Sequence, residues 1–183
     1  VVWQQRIGLS MKVQVSDEID GQWVSLPDPA RDTTRDATMP SVALRSDNQP
    51  VVAYVEMNQG YHNLYLRRWN GTAWVNQGNS LNQRKGYQVS YPFVALDKTG
   101  TTPTNYPTVA WTEWNGTDSD ARVIRRTATG WQRLGSLDLY PGDSAWFGLG
   151  SSALQLGKNG QPVVAWVNRS SQSGSDVIGL YVK

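Results

Sequence analysis

Polar side chains recur at one position of a repeated apolar segment, two residues after its aromatic residue. These positions hold Gln5, Glu56, Glu113 and Asn168. Carboxylates and amides beside aromatic rings suit the hydroxyl groups and the apolar faces of sugars. The residue types alone favour a simpler interpretation, in which these side chains end strands and are solvated in surface loops.

Two of these residues, Glu56 and Glu113, are of the type that glycosidases use as acid and base. Such a pair requires two carboxyl groups about 5–9.5 Å apart in unlike environments. Nothing in the sequence distinguishes the environment of one glutamate from that of the other. We therefore predict no catalytic residue.

Aromatic residues and the single histidine lie close to these polar positions in the chain. Tyr61, His62 and Trp114 follow in loops, and two longer connecting segments, residues 82–91 and 139–147, add further rings. Aromatic faces stack on sugars, and such segments are expected on one face of the fold. The predicted ligand-binding set is Glu56, Tyr61, His62, Tyr87, Tyr91, Glu113, Trp114, Trp146 and Asn168.

Composition excludes several other functions. The chain has no cysteine and one histidine, which removes thiol catalysis, disulfides and a multi-histidine zinc site. The hairpin turns offer fewer oxygens than the about six that calcium requires, so we predict no metal and no cofactor. A net charge of +2 with scattered basic residues does not indicate nucleic-acid binding. No run approaches the ~20 apolar residues of a membrane helix, so no membrane span is expected.

An internal repeat supplies the elements that position these residues. Pro50-Val51-Val52-Ala53-Tyr54 recurs at 107–111 and 162–166, and residues 1–3 resemble its end. A shorter apolar unit precedes each proline, and Asn, Asp and Gly residues that favour tight turns join the two. Two more strands follow each of the first three copies, and Trp23, Trp74 and Trp131 mark the fourth strand, whereas only a third strand follows the last copy. We interpret these tryptophans as packing between repeats rather than as a stacking platform.

Short strands repeating in this way are typical of a β-propeller. The second strand is apolar on both faces, which indicates burial on both sides. We predict an all-β fold, a partial β-propeller of about 3.5–4 four-stranded antiparallel blades that belongs to a larger wheel of roughly six to eight blades.

The chain is expected to form one propeller domain or fragment, residues 1–183. The predicted blades are blade 1 (its strands 2–4) at 1–34, blade 2 at 35–83, blade 3 at 84–142 and blade 4 (its strands 1–3) at 143–183. We expect the remainder of the parent propeller, or a second chain, to complete the ring.

Two stretches carry a family resemblance. Pro-Val-Val-Ala-Trp at 162–166 and Leu-Tyr-Leu-Arg-Arg-Trp-Asn-Gly-Thr-Ala-Trp at 64–74 resemble repeats of sialidase-like propellers in bacterial surface and secreted proteins. The resemblance implies the propeller fold. Of the sialidase Asp-box turn, Ser-x-Asp-x-Gly-x-x-Trp, the chain keeps only Gly71 and Trp74, and the sialidase catalytic set is not matched.

These observations lead to a functional expectation. We expect a non-enzymatic binding or scaffolding module of an extracellular or cell-surface protein, bacterial in origin, with a carbohydrate or protein ligand. One alternative is a fragment of a glycoside-acting, sialidase-like hydrolase. A second alternative is a purely structural module for protein assembly.

Overall fold

The computed structural model describes residues 1–98, 105–137, 144–146, 153–169 and 176–182. Within those ranges the chain forms antiparallel strands and no helix, and the strands are arranged in four sheets. Each sheet corresponds to one repeat, and we call the sheets blades 1 to 4 in chain order.

The strands of each blade follow one another in sequence. Blade 1 contains β1 (Val2–Ile7), β2 (Ser10–Ile19) and β3 (Gln22–Leu26). Blade 2 contains β4 (Ala37–Leu44), β5 (Pro50–Asn58), β6 (Tyr61–Trp69) and β7 (Trp74–Asn76). Blade 3 contains β8 (Gln88–Leu96), β9 (Pro107–Trp114), β10 (Ser119–Thr127) and β11 (Gly130–Ser136). Blade 4 contains β12 (Ser144–Trp146), β13 (Leu154–Leu156), β14 (Pro162–Arg169) and β15 (Asp176–Val182).

The repeated apolar segments are equivalent strands in neighbouring sheets. The segments that begin at Pro50, Pro107 and Pro162 form β5, β9 and β14, which belong to three different blades. Each of these strands pairs with the strand before it and the strand after it. This arrangement confirms the predicted all-β, partial β-propeller.

Three apolar cores hold the blades together, one at each junction. Val13 and Val15 of blade 1 pack with Tyr54 and Trp74 of blade 2. The second core joins blades 2 and 3, and the third joins blades 3 and 4. Because β5 and β9 lie between two such cores, both of their faces are buried, as the sequence predicts. In β14 buried residues alternate with more exposed ones.

The fourth-strand tryptophans have different environments. Trp74 is buried in the core between blades 1 and 2, and Trp131 packs against the core between blades 2 and 3. Their interpretation as packing residues is confirmed. For Trp23 it is wrong, because this side chain is 62% exposed. Trp74 and Trp131 each pack on the preceding blade, and no described sheet precedes blade 1.

The first strand of a blade is interrupted at one place. Pairing of β4 with β5 shifts register between Thr38 and Ser41, and pairing of β8 with β9 shifts between Ser90 and Phe93. Such bulges redirect side chains locally. In blade 4, β12 and β13 pair with β14 on either side of the equivalent place.

Candidate functional site

An aromatic-lined cleft lies where blades 2, 3 and 4 meet. It has a volume of about 590 Å³ and opens at the end of the wheel where β9 finishes and β8 begins. Its lining consists of Gly60, His62, Gln88, Val89, Ser90, Tyr91, Thr112, Trp114, Ser119 and Trp146. We call it the junction cleft.

Hydrogen bonds between blades 2 and 3 hold the part of the junction cleft that contains His62. The Gln88 side chain accepts a hydrogen bond from the His62 backbone N–H (2.8 Å) and donates one to the Gly60 carbonyl (3.3 Å). Gln59 and Gly60 form the tight turn before β6 and have φ values of 53° and 82°. Blade 3 therefore holds the turn of blade 2 in place, and His62 lies at a defined position.

Three aromatic rings come to the junction cleft from two blades. Tyr91 lies in the bulge of β8 with a φ of 50°. Trp114 is the last residue of β9 and is 46% exposed. Trp146 of β12 has the Arg169 guanidinium 5.8 Å from its ring centroid. Flat apolar rings at a partly open surface are suited to stacking on a ligand with apolar faces.

Polar side chains alternate with these rings along the strands. Thr112 and Trp114 both line the cleft, and Glu113 between them does not. This follows from the two-residue period of a strand. Gln88, Ser90 and Ser119 complete the polar part of the lining. Together they offer hydroxyl and amide groups that can donate and accept hydrogen bonds.

The structure therefore brings together four of the nine predicted ligand-binding residues: His62, Tyr91, Trp114 and Trp146. Sequence reasoning missed Gln88, Ser90, Thr112 and Ser119. A signal for Thr112 was available, because it lies two residues before Trp114 on the same face of the strand. The cross-blade contact of Gln88 has no comparable local signal.

Two predicted aromatic residues lie outside the junction cleft. Tyr61 lines a separate cleft of about 540 Å³, together with Asn58, Gln59 and Lys85. The Tyr87 hydroxyl accepts a hydrogen bond from the Arg84 guanidinium (3.0 Å), whose carbon lies 5.2 Å from the ring centroid. Tyr87 thus packs with its neighbour in the connecting segment.

Glu56 is buried beneath the segment that leads from blade 1 into blade 2. Its Oε2 accepts hydrogen bonds from the backbone N–H groups of Arg31 (2.9 Å) and Asp32 (3.4 Å). Its Oε1 lies 3.9 Å from the Arg35 guanidinium. Burial, and then the charge of this carboxylate, raise the pKa of the Tyr54 phenol above its ordinary value.

Glu113 has the same role one blade further on. Its Oε1 accepts hydrogen bonds from the Gln83 backbone N–H (2.6 Å) and from the Trp111 indole (3.1 Å). Its Oε2 lies 3.6 Å from Nε of Arg122. The carboxylate therefore holds the segment that leads from blade 2 into blade 3.

The structure corrects the interpretation of the repeated polar position. Glu56, Glu113 and Asn168 are buried rather than solvated at strand ends, and only Gln5 is exposed. A buried charge requires hydrogen-bonding partners, and for the two glutamates the backbone of the preceding connection supplies them. Neither glutamate presents a carboxylate to the junction cleft.

The described residues also define what the site lacks. Among them, no group of three or more His, Cys, Asp or Glu side chains is arranged to hold a metal ion. None of the described segments forms a helix with the length and apolarity of a membrane span.

Comparisons with known proteins give a similarity in structure and no match to a family model or a curated sequence. Among solved structures, the chain is similar to the crystal structure of an endo-arabinase from Bacteroides thetaiotaomicron VPI-5482, with a TM-score of 0.47 and 12% identity. The match covers 95% of this chain and 66% of that one, so the chain spans less than two thirds of that structure.

The expected function needs correction. The expectation of a non-enzymatic binding or scaffolding module finds no support in this comparison, because the structure that the chain is similar to is that of an endo-arabinase. The alternative stated with that expectation, a glycoside-acting hydrolase, depends on the residues of the junction cleft.

Proposed function

We propose that this chain is part of a glycoside-acting hydrolase and that the junction cleft binds the glycan. The observation that carries this proposal is the convergence of Tyr91, Trp114 and Trp146 with His62 from three blades. Aromatic rings provide platforms for the apolar faces of sugar rings. The serine, threonine and glutamine groups between them suit the hydroxyls at the sugar edge.

The described lining supports a binding role for this cleft within the reaction. None of the described residues that line the cleft is Asp or Glu. Hydrolysis of a glycosidic bond ordinarily requires two carboxyl groups, one as acid and one as base or nucleophile. In our proposal, residues outside that lining supply them, and the cleft binds and orients the sugar chain beside them.

Binding to a panel of plant and bacterial polysaccharides tests the first part of the proposal. Affinity gel electrophoresis should show retardation of the protein by at least one polysaccharide, and Trp114→Ala should remove it. Tyr87→Ala is the matched control, because this ring packs on Arg84 outside the cleft. Retardation that is absent throughout the panel, or equal in both variants, contradicts the assignment of the cleft.

Release of reducing ends from the retarding polysaccharide tests the second part. We expect release that follows protein concentration and falls in Trp114→Ala. Binding without any release of reducing ends would contradict hydrolysis by this chain, whereas the assignment of the junction cleft as a glycan-binding site would still hold.

The cellular location, the bacterial origin and the sialidase-like character of the repeats are part of the same proposal. We place the protein outside the cell or on the surface of a bacterium, with sialidase-like repeats as its relatives. The support is the resemblance of residues 64–74 and 162–166 and the suitability of the cleft for a glycan. Protease treatment of intact cells, followed by immunoblotting, tests the location, because a surface protein is degraded and an internal one is not.

A further inference from the structure

A second cleft lies beside the junction cleft, at the hairpin between β5 and β6. Strand β6 contributes His62 to the junction cleft and Tyr61 to the second cleft, because successive residues of a strand point to opposite faces. The residues that line the second cleft lie between positions 58 and 86, in blade 2 and in the segment that leads to blade 3. We call it the hairpin cleft. Its volume of about 540 Å³ is within the roughly 300–1,000 Å³ of small-molecule sites.

Hydrogen bonds hold the connecting segment against β6 and so form one wall of the hairpin cleft. The Asn82 side chain accepts hydrogen bonds from the Leu64 backbone N–H (2.8 Å) and from the Ser80 hydroxyl (2.8 Å). It donates hydrogen bonds to Oδ1 of Asn63 (3.1 Å) and to the His62 carbonyl (3.3 Å). The wall is therefore formed before a ligand arrives, which lowers the ordering cost of binding.

Tyr61 provides an aromatic surface in the hairpin cleft. Its side chain is 46% exposed. The connecting segment lies near the edge of the ring at Gly86, where an added Cβ would be 3.8 Å from Cε1 of Tyr61. Gly86 has a φ of 84°, which favours glycine. An aromatic ring in this position is suited to packing on the apolar face of a sugar.

The hairpin cleft also has a cation and two amides that are available to a ligand. Lys85 is the charged residue of the lining, and no carboxylate among the described residues pairs with it. Its neighbour Arg84, by contrast, pairs with Asp120 (3.3 Å). The side-chain amides of Asn58 and Gln59 have no hydrogen-bonding partner in the part of the chain that the structure describes. An ammonium group beside unpaired amides suits a sugar that carries both a carboxylate and hydroxyl groups.

We propose that the hairpin cleft binds a uronic acid residue of the same glycan that occupies the junction cleft. The Lys85 ammonium pairs with the uronate carboxylate, and the Tyr61 ring packs on the sugar. Gln59 and Gly60 are adjacent in the turn, and they line the hairpin cleft and the junction cleft respectively, so one sugar chain can reach both. This inference rests on the proposed function and names its class of substrate, an acidic polysaccharide.

Isothermal titration with polygalacturonate, alginate and hyaluronan tests the uronic acid site. We expect at least one of them to bind, and Lys85→Gln should raise its Kd about fivefold and make Kd less dependent on salt. Lys158→Gln is the matched control and should leave Kd unchanged. It removes the same charge from an exposed turn before β14, whereas the hairpin cleft lies at the turn after β5, the equivalent strand, and therefore at the opposite end of the wheel.

Chemical reduction of the carboxyl groups to alcohols supplies a matched control ligand. The reduced polysaccharide keeps its sugar rings and loses its charge, so the parent chain and Lys85→Gln should bind it with equal Kd. The uronic acid site is overturned by the absence of binding to all three polysaccharides, by equal Kd values in the parent chain and Lys85→Gln, or by an equal effect of Lys158→Gln.

Trp114→Ala, titrated with the same acidic polysaccharide, distinguishes failure of this inference from failure of the proposed function. A Kd that rises in Trp114→Ala and not in Lys85→Gln overturns the uronic acid site and supports the junction cleft. A Kd that rises in Lys85→Gln and not in Trp114→Ala supports the uronic acid site and contradicts a glycan that occupies both clefts. We expect it to rise in both variants.

Discussion

The junction between blades 1 and 2 and the junction between blades 2 and 3 are held by the same two kinds of hydrogen-bonded contact. They differ in the side chains at their open ends. In both, a buried glutamate holds the connecting segment. In both, a side chain at the start of the next blade accepts a hydrogen bond of 2.8 Å from a third-strand backbone N–H: Asp36 from Met11 in the first junction, and Gln88 from His62 in the second. These two contacts, which we call the framework, are therefore a property of the repeat.

The side chains at the open end of each junction, which we call its rim, differ between the two junctions. The second junction has His62, Tyr91 and Trp114 where the first has Met11, Met39 and Met57. These are all the methionines of the chain. Exposure is similar at the end of the second strand, 41% for Met57 and 46% for Trp114. The fold therefore determines the position of a rim side chain, whereas the residue type at that position differs between the junctions.

The largest expected effect comes from breaking the shared framework. Glu113→Ala leaves the Gln83 N–H and the Trp111 indole without their acceptor, and it leaves Arg122 with Asp120 as its remaining ion-pair partner. We expect a loss of about 3 kcal/mol in the free energy of unfolding, measured in urea. Glu56→Ala should cost a similar amount, and the exposed Glu18→Gln should cost little. A clearly smaller loss at one junction would contradict a common framework.

Exchange of the rim residues sharpens the difference in chemistry. Trp114→Met installs at the second junction the residue type of the first. Loss of one stacking ring should weaken glycan binding by about 1.5 kcal/mol, roughly a tenfold rise in Kd. Met57→Trp, the reciprocal change, should leave Kd unchanged, because the first junction lacks the other rings. Isothermal titration with the polysaccharide that retards the protein measures both, and equal Kd values in all three proteins would refute the assignment.

Removal of the cross-blade hydrogen bond is a smaller perturbation at either junction. Gln88→Ala frees the His62 N–H, and Asp36→Ala frees the Met11 N–H. Each should lower the free energy of unfolding by about 1 kcal/mol. Amide hydrogen exchange should accelerate at His62 in the first variant and at Met11 in the second. Acceleration at both amides in one variant would show that the junctions are not independent.

The smallest expected effect separates the junctions by alkaline pH. Tyr54 lies in the first junction, and its counterpart in the second is Trp111, which does not ionise. The raised pKa keeps Tyr54 protonated in the folded chain, while the unfolded chain releases that proton above about pH 10. Stability is thus fully present below that pH and falls as pH rises, by less than about 1 kcal/mol at pH 10.5. Tyr54→Phe should reduce the fall in stability between pH 9 and pH 10.5, and an unchanged fall would contradict the raised pKa.

The fold could be predicted because its information is local and repeated. The segments beginning at Pro50 and Pro107 show in sequence that their strands are equivalent, and apolar residues on both faces show that they are central. The exposure of Trp23 could not be predicted from the repeat. Its environment depends on the neighbouring blade rather than on its own.

The candidate site was only partly predictable for a similar reason. Trp114 and His62 follow strand ends, where side chains often reach the face of a propeller. The roles of Glu56 and Glu113 depend on backbone N–H groups of Arg31, Asp32 and Gln83, and every residue except proline carries such a group. A donor that nearly all residues share leaves no mark in the sequence.

The interruption in the first strand has a consequence for protein engineering. In blades 2 and 3 the register shift leaves Met39 and Tyr91 unpaired beside the second strand, and in blade 4 β12 and β13 pair with β14 on either side of the same place. Pairing on both sides survives in each case. A peptide grafted between Met39 and Pro40 would therefore enter the chain at an unpaired position and leave the strand pairing on either side in place. Peptides with different binding properties could thus be inserted at this position one for another.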